Sequence, residues 1–197
     1  MASVSKSYLA PERYLEIERQ AERKSEYFRG EMFAMAGASP KHNRILINLI
    51  REFSNGLRRG PCLVYSNDLR VLVARTGLYT YPDLVVTCGQ PEFLAPNHDT
   101  LLNPSLIVEV LSPSTETYDR GTKFAHYRNL STLTDYLLVA QDQVRVEHHY
   151  REGDDWMAAT ADGPEGRVAL PSIGVELSLA DIYEKVDFAA PRQPGPP

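Results

Sequence analysis

Glu109 is the single polar residue in Leu106-Ile107-Val108-Glu109-Val110-Leu111, a run of strand length otherwise made of aliphatic side chains. Apolar residues on both sides of the pleat describe a strand covered on both faces, as at the centre of a sheet. An ionised carboxylate there is costly unless it is paired or bound to a metal. The run therefore demands a sheet with a layer on each side, and it marks a site within that sheet.

Other segments can supply the cover. Ile45, Leu46, Leu49, Ile50, Phe53 and Leu57 recur at helical spacing behind Ser39 as cap and Pro40 as first-turn residue, which predicts a helix ended by Gly60-Pro61. Pro11 opens a short helix over about residues 11–20, and residues 26–35 form a hairpin around Arg29-Gly30. Strands are predicted at about 62–73, 79–88 and 106–111, with a Pro- and Asn-containing loop between the last two. Ser112-Pro113-Ser114-Thr115 precedes a second helix over about 117–129, and a strand follows at 136–140. Residues 143–150 and 156–160 flank Gly153-Asp154-Asp155 as a hairpin, with short strands and a final helix near 179–185. The order implies an α/β chain (an α+β mixed sheet) with helices flanking a central mixed sheet and additional β-hairpins. One domain is expected over residues 1–188, and residues 189–197, with four prolines, read as a disordered tail.

No apolar stretch approaches the roughly 18–20 residues of a membrane span, and the N-terminus lacks a signal-peptide core, so a cytoplasmic protein without a membrane partner is expected. A net charge of −5 argues against a generic, charge-driven nucleic-acid binder. It leaves room for a local basic face. Arg44, Arg51 and Arg58 recur every seven positions, as either a nucleic-acid-binding stripe or a solvated helix face. Cys62 and Cys88 belong to no metal-binding pattern and are expected to be reduced, packed thiols. His148 and His149 point to opposite faces of a strand and are expected on the sheet surface. The chain has no Gly-rich phosphate loop, and Ser112 and Ser114 lack a nucleophile elbow.

Asp83 follows Tyr81-Pro82 at the entrance to Leu84-Val85-Val86. Alone it is an ordinary turn residue. Beside Glu109 it can help present oxygens to one hard divalent cation. Asp119, Lys123 and Tyr127 share a face of the second helix, which starts just after the Glu109 strand and can turn Lys123 toward its carboxyl end. There a lysine can orient a metal-bound water and stabilise charge on a phosphate. The bland alternative is a surface Asp119–Lys123 pair. His42 lies on the inward side of the first long helix, and Glu26 and Glu31, flanking the hairpin turn, are secondary candidates.

These residues, in this order, resemble the Uma-two-like (DUF820-type) family, a distant branch of the PD-(D/E)XK nuclease superfamily. The resemblance is strongest in Tyr79-Thr80-Tyr81-Pro82-Asp83-Leu84-Val85-Val86, in Val108-Glu109-Val110-Leu111-Ser112-Pro113-Ser114-Thr115 and in Asp119-Arg120-Gly121-Thr122-Lys123-Phe124. It extends to Ser25–Glu31, His42 and Tyr136–Val139 and covers most of residues 8–188. It implies a restriction-endonuclease-like core in which Asp83, Glu109 and the Val110 carbonyl hold magnesium, with manganese as an alternative. The superfamily's usual lysine stands two positions after the acid, where this chain has Leu111. The resemblance implies that Lys123 replaces it from the helix. His42 occupies the helix from which related nucleases contribute an extra acid.

The resulting expectation is metal-dependent hydrolysis of nucleic-acid phosphodiesters, DNA foremost, by a homodimer in analogy to enzymes that cut both strands. Two rival readings fit the same residues. One is a non-catalytic nucleic-acid or protein interaction module, which an outward-pointing Lys123 would favour. The other is a metal-dependent phosphoesterase acting on small molecules.

Overall fold

The computed structural model describes residues 8–188. The predicted tail at 189–197 lies outside the described residues. A six-stranded sheet runs in the order β11-β10-β9-β8-β6-β3 and a five-stranded sheet in the order β2-β1-β5-β4-β7. The first contains β3 (Cys62–Ser66), β6 (Leu84–Cys88), β8 (Leu106–Val110), β9 (Asp135–Val139), β10 (Arg145–Glu152) and β11 (Asp155–Asp162). The second contains β1 (Ser25–Phe28), β2 (Glu31–Ala34), β4 (Arg70–Val73), β5 (Leu78–Thr80) and β7 (Thr100–Leu101). A separate hairpin pairs β12 (Arg167–Leu170) with β13 (Val175–Ser178).

The six-stranded sheet is mixed, as expected: β8 and β9 are parallel and the other neighbours antiparallel. A helical stretch over residues 116–127, here the crossover helix, lies between the parallel strands in sequence. Alternation along each strand divides the core. Leu106, Val108 and Val110 of β8 join Leu84, Val86, Leu137 and Val139 under α2 (Pro40–Leu57) and the β12–β13 hairpin. Ile107 and Leu111 face the other way, with Val85, Tyr136 and Leu138, toward the crossover helix and the five-stranded sheet. Glu109, between Ile107 and Leu111, thus points into the second layer. The outer face of the smaller sheet packs Tyr27, Leu72 and Tyr79 against Tyr14 and Leu15 of α1 (Pro11–Glu18).

The helix cap at Ser39 forms as predicted, its hydroxyl accepting the His42 backbone N–H at 3.1 Å. The strands predicted at 62–73 and 79–88 each divide between the two sheets. The first breaks in the turn closed by the Leu69 N–H on the Ser66 carbonyl, and the second at Tyr81-Pro82-Asp83, where proline has no N–H for a ladder. Continuous apolar character cannot reveal such a change of sheet. Also unanticipated is β7, two residues inside the predicted loop.

The cysteine expectation is corrected. Cys62 and Cys88 stand directly opposite each other on β3 and β6 and form a disulfide, with Cα atoms 4.0 Å apart. Sheet register, invisible in the spacing of the two cysteines, brings them together. His148 is also corrected: it is buried, and its Nε2 contacts Asp135 Oδ1 at 2.7 Å rather than lying on the sheet surface.

The disulfide closes a loop with sequence separation 26 and ties edge strand β3 to β6, which Asp83 directly precedes. Cys62→Ser/Cys88→Ser is expected to lose about 2–4 kcal/mol of stability. Urea unfolding with and without reductant checks this; equal midpoints would contradict it.

Candidate active site

The register of β6 and β8 places the two strand carboxylates. Leu84 pairs with Val108 in this antiparallel ladder, so one step further along Asp83 faces Glu109 across the strands. Directly opposed residues project to the same face of a sheet. The Asp83 carboxylate continues the ladder itself, its Oδ2 accepting the Val110 N–H at 2.8 Å. The same oxygen lies 3.0 Å from His42 Nε2 at the start of α2. Asp83 is therefore held by a neighbouring strand and by a helix from the opposite layer.

Lys123 points inward. It is only 5% exposed, and its Nζ lies 2.8 Å from Glu109 Oε1, 3.2 Å from Glu26 Oε1 and 3.5 Å from Asp119 Oδ1. Asp119 and Lys123 bound a π-helical turn that interrupts the crossover helix. Such single turns are rare and recur at functional sites. The helix also brings the Tyr127 hydroxyl to Glu109 Oε1 at 2.8 Å and the Tyr118 hydroxyl to Glu26 Oε2 at 3.2 Å. Thr80 of β5 donates to Glu26 Oε1.

The carboxylates outnumber the cations. Burial pushes the Glu109 carboxyl well above the usual range; Lys123 opposes the shift, while Asp119 and Asp83 reinforce it. Burial raises Asp119 in the same way, against the pull of Lys123. Burial alone would lower Lys123, but Glu109, Glu26 and Asp119 hold it firmly protonated.

Among the described residues no group of three or more His, Cys, Asp or Glu side chains is arranged to hold a metal ion by itself. Asp83 Oδ1 and Glu109 Oε2 have no hydrogen-bond partner among those residues, because the contacts of both groups use the other oxygen. Two strand carboxylates with a free oxygen each, in a cluster of surplus negative charge, suit a hard cation that keeps its own waters. Magnesium is commonly held in that way, by one or two carboxylates plus water and phosphate.

The structure thus gathers Asp83, Glu109, Val110, Lys123, His42, Glu26 and Asp119. Glu31 does not join through its strand position: it sits exposed on β2, paired across the hairpin with Phe28. Arg44, Arg51 and Arg58 lie on the exposed side of α2, and Arg51 is engaged by Glu52 and Glu184. Sequence reading missed Thr80 and Tyr118. Tyr127 was visible only as a residue sharing the Lys123 face.

Two outcomes follow from this charge arrangement. A carboxyl whose folded pKa exceeds its unfolded value contributes stability that is complete below the unfolded pKa and lost as pH rises through the folded one. Because Glu109 and Asp119 both shift upward, the metal-free melting temperature should fall as pH rises above the ordinary carboxylate range, and Glu109→Gln should flatten that fall. Melting curves in chelator across that range check it, and a flat wild-type profile would contradict it. Lys123→Met leaves the carboxylates without their cation, so a loss of about 3–5 kcal/mol is expected above neutral pH, shrinking in acid. Denaturant titration at two pH values measures it.

Comparison with known proteins places the chain in a family. A family described as "Putative restriction endonuclease" (Uma2) matches residues 11–180. "Uncharacterized protein slr1290" of Synechocystis sp. (strain ATCC 27184 / PCC 6803 / Kazusa) is 39% identical over 181 residues, covering 91% of this chain and 94% of the relative. "Uncharacterized protein sll1609" of the same organism is 36% identical over 169 residues, covering 85% and 96%. The fold is shared with a crystal structure titled as a putative nuclease belonging to DUF820 from Anabaena variabilis ATCC 29413, at TM-score 0.70 and 18% identity, covering 87% of this chain and 96% of that one. The mixed α+β architecture is the one seen in that DUF820 structure, and the chain belongs to the Uma2 family.

Proposed function

We propose that the chain is a metal-dependent endonuclease that hydrolyses nucleic-acid phosphodiester bonds, with DNA as the preferred substrate and magnesium or manganese as the cofactor. The observation that carries this reading is the inward Lys123, 2.8 Å from Glu109 although Leu111 fills the superfamily's usual lysine position. A surface Asp–Lys pair on an inactive module would not bury an ammonium among three carboxylates. A small-molecule phosphoesterase would share the acids, but family membership favours the polymer.

Asp83 and Glu109 would hold the cation, with the Val110 carbonyl as a third donor from the same strand end. When bound, the cation supplies a nucleophilic water at neutral pH and neutralises charge on the phosphate. Lys123 supports the attacking water and the charge that builds on the phosphoryl oxygens. His42 holds Asp83 Oδ2 from the far side, which leaves Oδ1 to face the cation. Tyr127 and Glu26 fix Glu109 and Lys123, so that both stay oriented.

Cleavage of plasmid and linear DNA in magnesium buffer is the direct test. Asp83→Ala, Glu109→Ala and Lys123→Ala are each expected to lower the rate by about 10²-fold or more. Unchanged cleavage by Glu109→Ala would overturn the assignment. Millimolar magnesium should also raise the wild-type melting temperature but not that of Glu109→Ala, since a ligand stabilises the state that binds it.

A further inference from the structure

We propose that a half-exposed belt of aromatic rings and arginines beside the carboxylate cluster binds unpaired, single-stranded nucleic acid, so that the preferred substrate carries unstacked nucleotides next to the bond to be cut. This inference rests on the nucleic-acid reading of the site and adds which form of the polymer the site takes.

The belt starts at the cluster. Alternation on β1 puts Phe28 on the same face as Glu26, and Phe124 follows Lys123 directly on the crossover helix. The Phe28 ring lies 4.6 Å from His126, edge to face. Phe124 stands 5.2 Å from Trp156 of β11, nearly perpendicular to it. The rings form two groups on either side of the crossover helix segment: Phe28 with His126 at the hairpin, and Trp156 against Phe124, which itself packs on Tyr136 and His149, at the edge of the six-stranded sheet.

Guanidinium groups accompany both sets of rings. Arg29 lies 5.0 Å from the Phe28 ring, Arg128 5.9 Å from Phe124 and Arg151 5.3 Å from Trp156. Among the described residues no carboxylate lies within ion-pair distance of these three arginines, whereas Arg19, Arg51, Arg70 and Arg120 each contact one. In a chain of net charge −5, unneutralised cations gathered on aromatic faces fit a polyanion carrying flat rings. The Phe28, Phe124 and Trp156 rings are half-buried, and none is among the large hydrophobic side chains that stand mostly exposed, so the belt lacks the open apolar patch of a protein-docking face. Unpaired bases offer ring faces for stacking, while a regular duplex hides them.

Trp156 is the one tryptophan of the chain, so its fluorescence reports on the belt directly. Oligothymidylate of about 20 nucleotides, added to the full chain in low salt with chelator, should quench that emission saturably. A blunt duplex of the same length is expected to bind about tenfold more weakly or worse, and added salt should weaken the single-strand complex. Arg29→Gln/Arg128→Gln changes two exposed residues outside the catalytic cluster and is expected to weaken binding about tenfold with no change in melting temperature. Anisotropy of labelled oligothymidylate provides a second reading of the same affinities. Absence of binding in both measurements, equal affinity for duplex, or wild-type affinity in the double variant would each overturn the proposal. Single-strand binding by a protein that cuts no nucleic acid would overturn the nuclease reading and leave the belt standing. Magnesium-dependent cleavage without single-strand binding would do the reverse.

Discussion

The ammonium of Lys123, enclosed by Glu109, Glu26 and Asp119, is the interaction on which the centre of this molecule depends. It links three elements that share no local sequence: the middle strand of the larger sheet, the first strand of the smaller sheet and the crossover helix. Lys123 offsets part of the cost of charge on a carboxyl buried among Ile107, Leu111, Tyr136 and Leu138. The same contact settles which way the crossover helix faces, because a helix rotated outward would take both Lys123 and Tyr127 away from Glu109.

The cluster is arranged to be under-neutralised. Four carboxylates converge with one lysine and one histidine, and burial raises Glu109 and Asp119 while Lys123 stays charged. The cluster's supports are rigid: a β-ladder holds Asp83 through Val110, and a capped helix brings His42 to the same carboxylate. The surplus charge is thus a property of fixed geometry.

Local patterns in the chain account for much of this. The helix behind Ser39-Pro40, the hairpin around Arg29-Gly30 and the Glu109 strand all form where hydrophobic period and capping residues place them. Elsewhere the pattern ran out. Runs 62–73 and 79–88 look continuous in apolar character, yet each crosses between sheets, since sheet membership is set by pairing with distant strands. Asp135 and His148 likewise meet only because β9 and β10 are neighbours.

Sequence alone determined that a carboxylate would be buried in a doubly covered strand, that Asp83 would open a neighbouring strand, and that Lys123 would share a helix face with Asp119 and Tyr127. Each follows from alternation or helical period, which are local. Tertiary structure decided that Glu26 rather than Glu31 joins the cluster, that His42 grips Asp83, and that Cys62 bonds to Cys88. Those outcomes depend on strand register and on the stacking of two sheets, and a shift of one residue in either would turn the same side chains to the opposite face.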